Sequence, residues 1–309
     1  MISFIIPVLN GSRYIGQCLD HIAAEKAAED DIIVVDNGST DDTLDIARRY
    51  DNVTILQHPG ITIAALRNRG AEVAQNDLLA FIDCDCLVCP GWRQAVEDVM
   101  SDKSIVATGS IYDVPEKSTW VERAWLSERA DNVMKINYIN SGNLIVRSFV
   151  YKEIGGFNEA LETDEDYDIG ARITVKGYTM LHDPAVRVIH LGNAKTLKQH
   201  FQRKFWHSTS MLETVKRNGL DKPFIMTLAF LFFGLAFISL LPISLHNKFI
   251  FIGSLLGLIV VPVATALYRV LMYKNYRYFF ELIILYLVFY LARISALFRA
   301  VFGPKRRVA

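Results

Sequence analysis

The chain has 309 residues, enough for one large α/β domain and a further segment, and its formal net charge is zero. That zero hides an asymmetry: residues 1–194 carry 17 Lys and Arg against 30 Asp and Glu, whereas residues 195–309 carry 16 against 3. An acidic first part argues against nucleic acid as a partner, and a basic, apolar second part points to a membrane surface bearing anionic lipid.

The first part alternates short apolar runs with amphipathic segments. Ile2 to Leu9 reads as a buried strand, followed by a helix capped by Ser12, with Ile15, Leu19 and Ile22 at helical spacing. Asp31 to Asp36 is a second strand, and the turn Asn37-Gly38-Ser39-Thr40-Asp41-Asp42 leads into a helix that Ser39 or Thr40 can cap. Val53 to Gln57 is a third strand, Thr62 to Ala74 a helix containing Arg67, and Asp77 to Ile82 a fourth strand that ends in Asp83-Cys84-Asp85-Cys86. This alternation predicts a doubly wound, mostly parallel sheet whose polar strand ends converge on one crevice.

Beyond Pro90, which opens a helix through Met100, the pattern predicts a strand over Ile105 to Tyr112 and a helix over Ser118 to Val133. A loop Asn140-Ser141-Gly142-Asn143 enters a strand, and the turn at Gly155-Gly156 precedes an acidic run from Glu162 to Asp168. That run leads into a helix through Arg172 and Lys176, then two short strands ending at His190. Lys195 to Arg217 places Leu197, Phe201, Phe205, Leu212 and Val215 on roughly one face, the pattern of a basic helix lying on a membrane.

Two uncharged stretches, Phe224 to Leu245 and Phe249 to Tyr268, are each long enough to cross about 30 Å of hydrocarbon. A third, Tyr278 to Phe298, contains Glu281 and Arg293, so the expectation is two full spans and a tilted or interfacial third element. Lys195, Lys198, Arg203, Lys204, Lys216 and Arg217 place the first part inside, and the tail Lys305-Arg306-Arg307 prefers the same side. The expected division is a catalytic domain over 1–194, a basic interfacial helix and linker over 195–222, and a membrane region over 223–309. Residues 2–8 run into polar sequence without a preceding basic segment, so no cleavable signal peptide is expected.

Neither a Gly-rich dinucleotide fingerprint nor a phosphate-binding P-loop sequence is present. The C-x-C-x-x-C spacing of Cys84, Cys86 and Cys89 lacks a second Cys pair and a nearby His, so the thiols read as reduced residues filling gaps around the aspartates.

An ordered set of motifs does stand out: Ile5-Ile6-Pro7-Val8-Leu9-Asn10, Val34-Val35-Asp36-Asn37-Gly38-Ser39, Leu66-Arg67-Asn68, Phe81-Ile82-Asp83-Cys84-Asp85, Gly155-Gly156-Phe157-Asn158-Glu159 and Glu165-Asp166-Tyr167-Asp168. As a set, over residues 2 to about 190, these resemble the family 2 inverting glycosyltransferases of the GT-A fold. The resemblance implies a nucleotide-sugar donor, UDP by default, contacted by Pro7, Val8, Asn10, Asp36, Asn37, Ser39, Arg67, Asp83 and Cys84, with Asp36 accepting a base N–H. It implies that Asp85 ligates Mg2+ or Mn2+, with His190 as a further metal contact, and that Asp166 is the general base; separately, crowding by Asp164, Glu165 and Asp168 should raise the proton affinity of some member of this acidic run. Asn143, Glu165, Gln202, Arg203 and Trp206 would meet the sugar or the acceptor.

Plainer readings stand beside these: an exposed helical Arg67, a solvated acidic helix start, a structural Asn143 in its turn and a buried His190 without ligand duty. Gln202-Arg203-Lys204-Phe205-Trp206 has Phe where processive synthases of the family carry Arg, which argues against processivity. The expected function is transfer of one sugar to a lipid-linked or glycan acceptor at the cytoplasmic face of the cell membrane, in cell-surface polysaccharide biosynthesis. The alternatives are a polyprenyl-phosphate glycosyltransferase, a processive synthase and a non-catalytic membrane scaffold.

Overall fold

A computed structural model describes residues 1–127, 132–209, 211–212, 215, 219–244 and 247–302. The chain forms two compact units, one from Met1–Glu116 with Arg129–Asn193, the other from Lys117–Glu128 with Ala194–Ala309. The expected block 1–194 is thus interrupted: a short segment in its middle belongs with the C-terminal helices.

The first unit is built on an eight-stranded sheet. Its elements in chain order are β1 (Ile2–Val8), α1 (Ile15–Glu25), β2 (Asp31–Asp36), α2 (Thr43–Ala47), β3 (Val53–Gln57), α3 (Ile63–Val73), β4 (Leu78–Ile82), β5 (Cys86–Val88), α4 (Trp92–Ser101) and β6 (Ile105–Gly109). After the inserted segment come β7 (Met134–Ile136), β8 (Asn143–Arg147), α6 (Ser148–Glu153), α7 (Glu165–Val175), β9 (Thr179–His182) and β10 (Val188–His190). The strand order is β3-β2-β1-β4-β8-β6-β9-β7, and β5 pairs with β10 in a separate ribbon. β3, β2, β1 and β4 run parallel; β8 runs antiparallel to β4 and β6, and β7 to β9, so the mostly parallel sheet is mixed at its far side.

The central strands β1, β2, β4 and β8 are mostly apolar and buried because both faces are covered, as expected for crossover helices on a parallel sheet, whereas β3 and β7 are partly exposed at the edges. Alternate residues go to opposite sides: Phe4, Ile6, Ile32, Val34 and Ala80 pack with α1 and α4, while Ile5, Ile33, Val35, Leu79 and Phe81 pack with α3, α6 and α7. Phe81 meets Phe157 edge-on, with ring centroids 5.1 Å apart.

Local capping departs from expectation in two places. Ser12 does not cap α1, which begins at Ile15; its backbone N–H donates instead to Asp41. Ser39 and Thr40 do not cap α2; both are bonded to Asn10 across the loop. Thr62 does cap α3, its Oγ1 accepting from Ala65 N at 3.2 Å.

In the second unit, α5 (Trp120–Trp125) is far shorter than the helix expected over Ser118 to Val133; Thr119 and Glu122 form a capping box at its start. Residues 128–131 of the expected helix lie outside the described residues. α8 (Leu197–His207) is capped by Thr196; Lys216 and Arg217 of the expected basic helix lie outside the described residues, as does the tail Lys305-Arg306-Arg307.

Three helices follow, α9 (Lys222–Ser244), α10 (Lys248–Tyr273) and α11 (Phe279–Phe302), each long and apolar enough to cross a membrane. By length and composition the third qualifies like the other two. Its Arg293 has polar company within the unit: Nε donates to Thr227 Oγ1 at 2.7 Å, and the guanidinium lies over the Phe289 ring. Phe230, Val261, Ala266, Leu282, Tyr286 and Tyr290 form the core among these helices.

Candidate functional site

Two loops at the carboxyl ends of β1 and β2 are latched together. Asn10 takes a left-handed backbone (φ 50°), one of the few residue types that does so readily, and its N–H donates to Ser39 Oγ at 2.8 Å while its Oδ1 accepts from Thr40 N at 2.9 Å. The Asn37 side chain exchanges two hydrogen bonds with the Ile61 backbone, at 3.0 and 3.1 Å. Pro7 and Val8 are buried within β1, opposite Val35 and Asp36. Asp36 is fully buried, and its carboxylate accepts from the N–H groups of Gly38 and Ser39 at 2.9 and 3.0 Å. Its carboxylate shapes the turn from within.

The turn after β4 is closed by Cys86 N donating to Asp83 O at 2.9 Å. Arg67 sits behind it, 1% exposed, with Nη2 on Asp83 Oδ1 and Nη1 on Glu165 Oε1, both at 2.7 Å. Burial works against its charge, but Asp83 and then Glu165 outweigh that and hold the guanidinium more firmly protonated than usual. Arg67 is therefore not an exposed helical arginine; it ties the Asp83 turn to the start of α7. Glu165 also accepts from Ser141 Oγ at 3.1 Å and is buried, so its carboxylate takes part in this internal pairing.

Asp85 turns the other way. Its Oδ1 lies 3.4 Å from His190 Nε2, and its backbone carbonyl accepts from Leu191 N at 2.8 Å. His190 is buried and stacks on Tyr112, with centroids 4.8 Å apart. Among the described residues, Asp85, Cys86 and His190 bring one carboxylate oxygen, one sulfur and one imidazole nitrogen within 4.8 Å of each other. A side-chain carbon at Gly192 would overlap the Asp85 carboxylate, and one at Gly142 would overlap that of Asp83, so both glycines leave room that the acids occupy. Carboxylate and imidazole around a confined space are a donor set suited to a divalent ion. Cys84 is half-buried beside Gly11; Cys18, Cys86 and Cys89 are buried, and no cysteine is disulfide-bonded.

Asp166 lies in the first turn of α7. Its Oδ2 accepts from the Tyr138 hydroxyl at 3.1 Å and its Oδ1 from Tyr167 N at 2.8 Å. Burial first and the neighbouring Glu165 second raise its carboxyl from the usual carboxylate range to about 7, against the opposing pull of Arg67, Tyr138 and the Tyr167 N–H. Burial thus matters more than the acidic crowding anticipated from sequence. A carboxyl poised near neutrality suits a general base.

Asn143 opens β8 fully buried. Its Nδ2 donates to Ser110 Oγ and Val186 O, and its Oδ1 accepts from Trp92 Nε1. Gln202, Arg203 and Trp206 lie on α8, in the second unit. Tyr138, Ser141, Tyr112, Cys86 and Gly192 join the site without having been singled out for it. Their partners are distant in sequence, and only the C-x-C-x-x-C spacing hinted at one of them.

Glycosyltransferase chemistry fits this arrangement, and comparison with known proteins agrees. Residues 3–162 match the family model described as Glycosyl transferase family 2. The chain is 31% identical over 196 residues to the glycosyltransferase AglE of Haloferax volcanii, covering 59% of this chain and 64% of that protein. It is 24% identical over 223 residues to the pre-mycofactocin glycosyltransferase of Mycobacterium tuberculosis, covering 68% of this chain and 46% of that one. The chain thus spans about half to two thirds of these relatives. Among solved structures it resembles in fold the mannosyltransferase PcManGT from Pyrobaculum calidifontis, in complex with GDP-Man and Mn2+, with a TM-score of 0.65 at 15% identity over 98% of this chain and 88% of that one. GalNAc-T7 with UDP, GalNAc and Mn2+ gives a TM-score of 0.52 at 17% identity over 68% of this chain and 50% of that one. With a matching family model over more than half its length, the chain belongs to glycosyl transferase family 2.

Proposed function

We propose that the protein transfers a sugar, with inversion, from a nucleotide-sugar donor to a hydroxyl of a lipid-linked or glycan acceptor at the cytoplasmic face of a membrane. The observation that carries this reading is the Arg67 bridge. It fixes the loop ending in Asp85 and the helix bearing Asp166 to one buried guanidinium, 2.7 Å from a carboxylate on each side.

Asp166 takes the proton of the acceptor hydroxyl as that oxygen attacks the anomeric carbon; Tyr138 and the Tyr167 N–H orient the carboxylate. Asp85 and His190 would hold a divalent cation, which when bound supplies positive charge facing the departing nucleoside diphosphate. The latched loops at Asn10 and Ser39 form the rim where the nucleotide docks, with UDP the first base to test. Gln202, Arg203 and Trp206 are assigned to the acceptor. Three helices able to cross a membrane and the basic residues Lys195, Lys198, Arg203 and Lys204 support attachment with the first unit on the cytoplasmic side.

The test is thermal unfolding of detergent-solubilised protein with UDP- and GDP-sugars, with and without Mn2+. A bound donor raises the midpoint by mass action. One nucleotide sugar should stabilise the wild type in a Mn2+-dependent way and should not stabilise Asp85→Ala. If no nucleotide sugar stabilises the wild type, or if Asp85→Ala responds equally, the reading falls.

A further inference from the structure

A cation site made only of hard oxygen donors and imidazole would accept Mg2+ as readily as its size allows. The third donor found beside Asp85 and His190 changes that expectation. Cys86 and His190 are directly opposed in the antiparallel β5–β10 ribbon, which sends their side chains to the same face. Asp85 precedes Cys86 in sequence, and in an extended strand their side chains would diverge. The turn closed by Cys86 N and Asp83 O removes that alternation, so the carboxylate, the thiol and the imidazole gather within 4.8 Å.

We propose that Cys86 is a third protein ligand of this cation site, and that its sulfur selects a thiophilic divalent transition ion over Mg2+. The inference rests on the reading that Asp85 and His190 hold a divalent cation. On coordination, the Cys86 S–H bond breaks, the sulfur lone pair passes to the metal and the proton leaves to solvent. Thiolate favours zinc and the later first-row ions, whereas Mg2+ prefers six oxygen donors and sheds water reluctantly. Three protein ligands also leave positions for diphosphate oxygens, as in catalytic metal sites that keep one position open.

Co2+ is the probe, because a cobalt–thiolate bond gives a near-ultraviolet charge-transfer band that oxygen and imidazole ligands do not. The full chain, purified in detergent and stripped with chelator, is titrated with Co2+ while bound cobalt per chain and the absorption spectrum are both recorded. The expected result is one cobalt per chain with the thiolate band. A 100-fold excess of Mg2+ should not displace it, and stoichiometric Zn2+ should. Cys86→Ser should lose the band and bind cobalt at least about 10-fold more weakly, while Cys84→Ala keeps the band. A triple variant Cys18→Ala, Cys84→Ala and Cys89→Ala leaves Cys86 as the one thiol of the four, and it should show the band even where Cys86→Ser fails to fold.

Cobalt bound without the band, or a band that persists in Cys86→Ser or is missing from a folded triple variant, overturns the thiolate ligand and leaves the cation reading standing. No cobalt bound with or without nucleotide sugar overturns the cation reading itself.

Discussion

At Asp166, the side chain proposed as the base also carries a thermodynamic cost. Asp166→Asn removes the base while keeping the shape, and turnover should drop by about 10^2 or more with donor-induced stabilisation retained. A loss of donor binding in parallel with turnover would argue for a structural role instead. If the acceptor were a phosphate, which needs little base catalysis, the same variant would cost little turnover. Tyr138 holds the Asp166 proton affinity down through its hydroxyl, so Tyr138→Phe should move the acid limb of the kcat/KM profile to higher pH. An unshifted limb would show that another group controls it. Arg67→Ala leaves Asp83 and Glu165 without their common buried partner, and breaking such a pairing costs about 3–5 kcal/mol, read as a lowered unfolding midpoint.

Among the elements, α3 and the ribbon formed by β5 and β10 place the site. α3 carries Arg67 and starts on the Thr62 cap, so Thr62→Ala should destabilise the protein by about 1 kcal/mol and leave catalysis almost untouched. The ribbon sets Asp85 beside His190, with Gly192 giving the carboxylate its space. Gly192→Ala should abolish the Mn2+-dependent part of donor stabilisation while the protein remains folded by circular dichroism. Undiminished dependence on Mn2+ would separate Asp85 from cation binding.

For the molecule as a whole, pH and membrane attachment are the accessible readouts. Asp166 titrates near 7 when folded, against about 3.9 for an unperturbed aspartate. A raised carboxyl stabilises the folded state fully below the unfolded value, and that contribution is lost as pH rises through the window from about 4 to 7. Asp166→Asn should therefore flatten the decline and unfold at a higher temperature than wild type at pH 8; equal midpoints there would contradict the raised carboxyl. Three helices long and apolar enough to cross a membrane predict that the protein stays in the membrane pellet through an alkaline carbonate wash and leaves with detergent. Release by carbonate alone would reduce them to a peripheral attachment.

Legible from the chain alone were the strand-and-helix alternation of the first part, the Asp83–Asp85 turn, the acidic start of α7 and the apolar C-terminal stretches. Each of these is a local pattern, written by periodicity, turn residues or length over a few dozen consecutive positions. The burial of Arg67 between Asp83 and Glu165, the inward roles of Asp36 and Asn143, the Tyr138 contact to Asp166 and the meeting of Cys86 with His190 were not legible. Nor was the grouping of residues 117–128 with the C-terminal helices. Each depends on which strands become neighbours, and a polar side chain reads identically in sequence whether its partners, some 100 residues away, leave it facing solvent or enclose it.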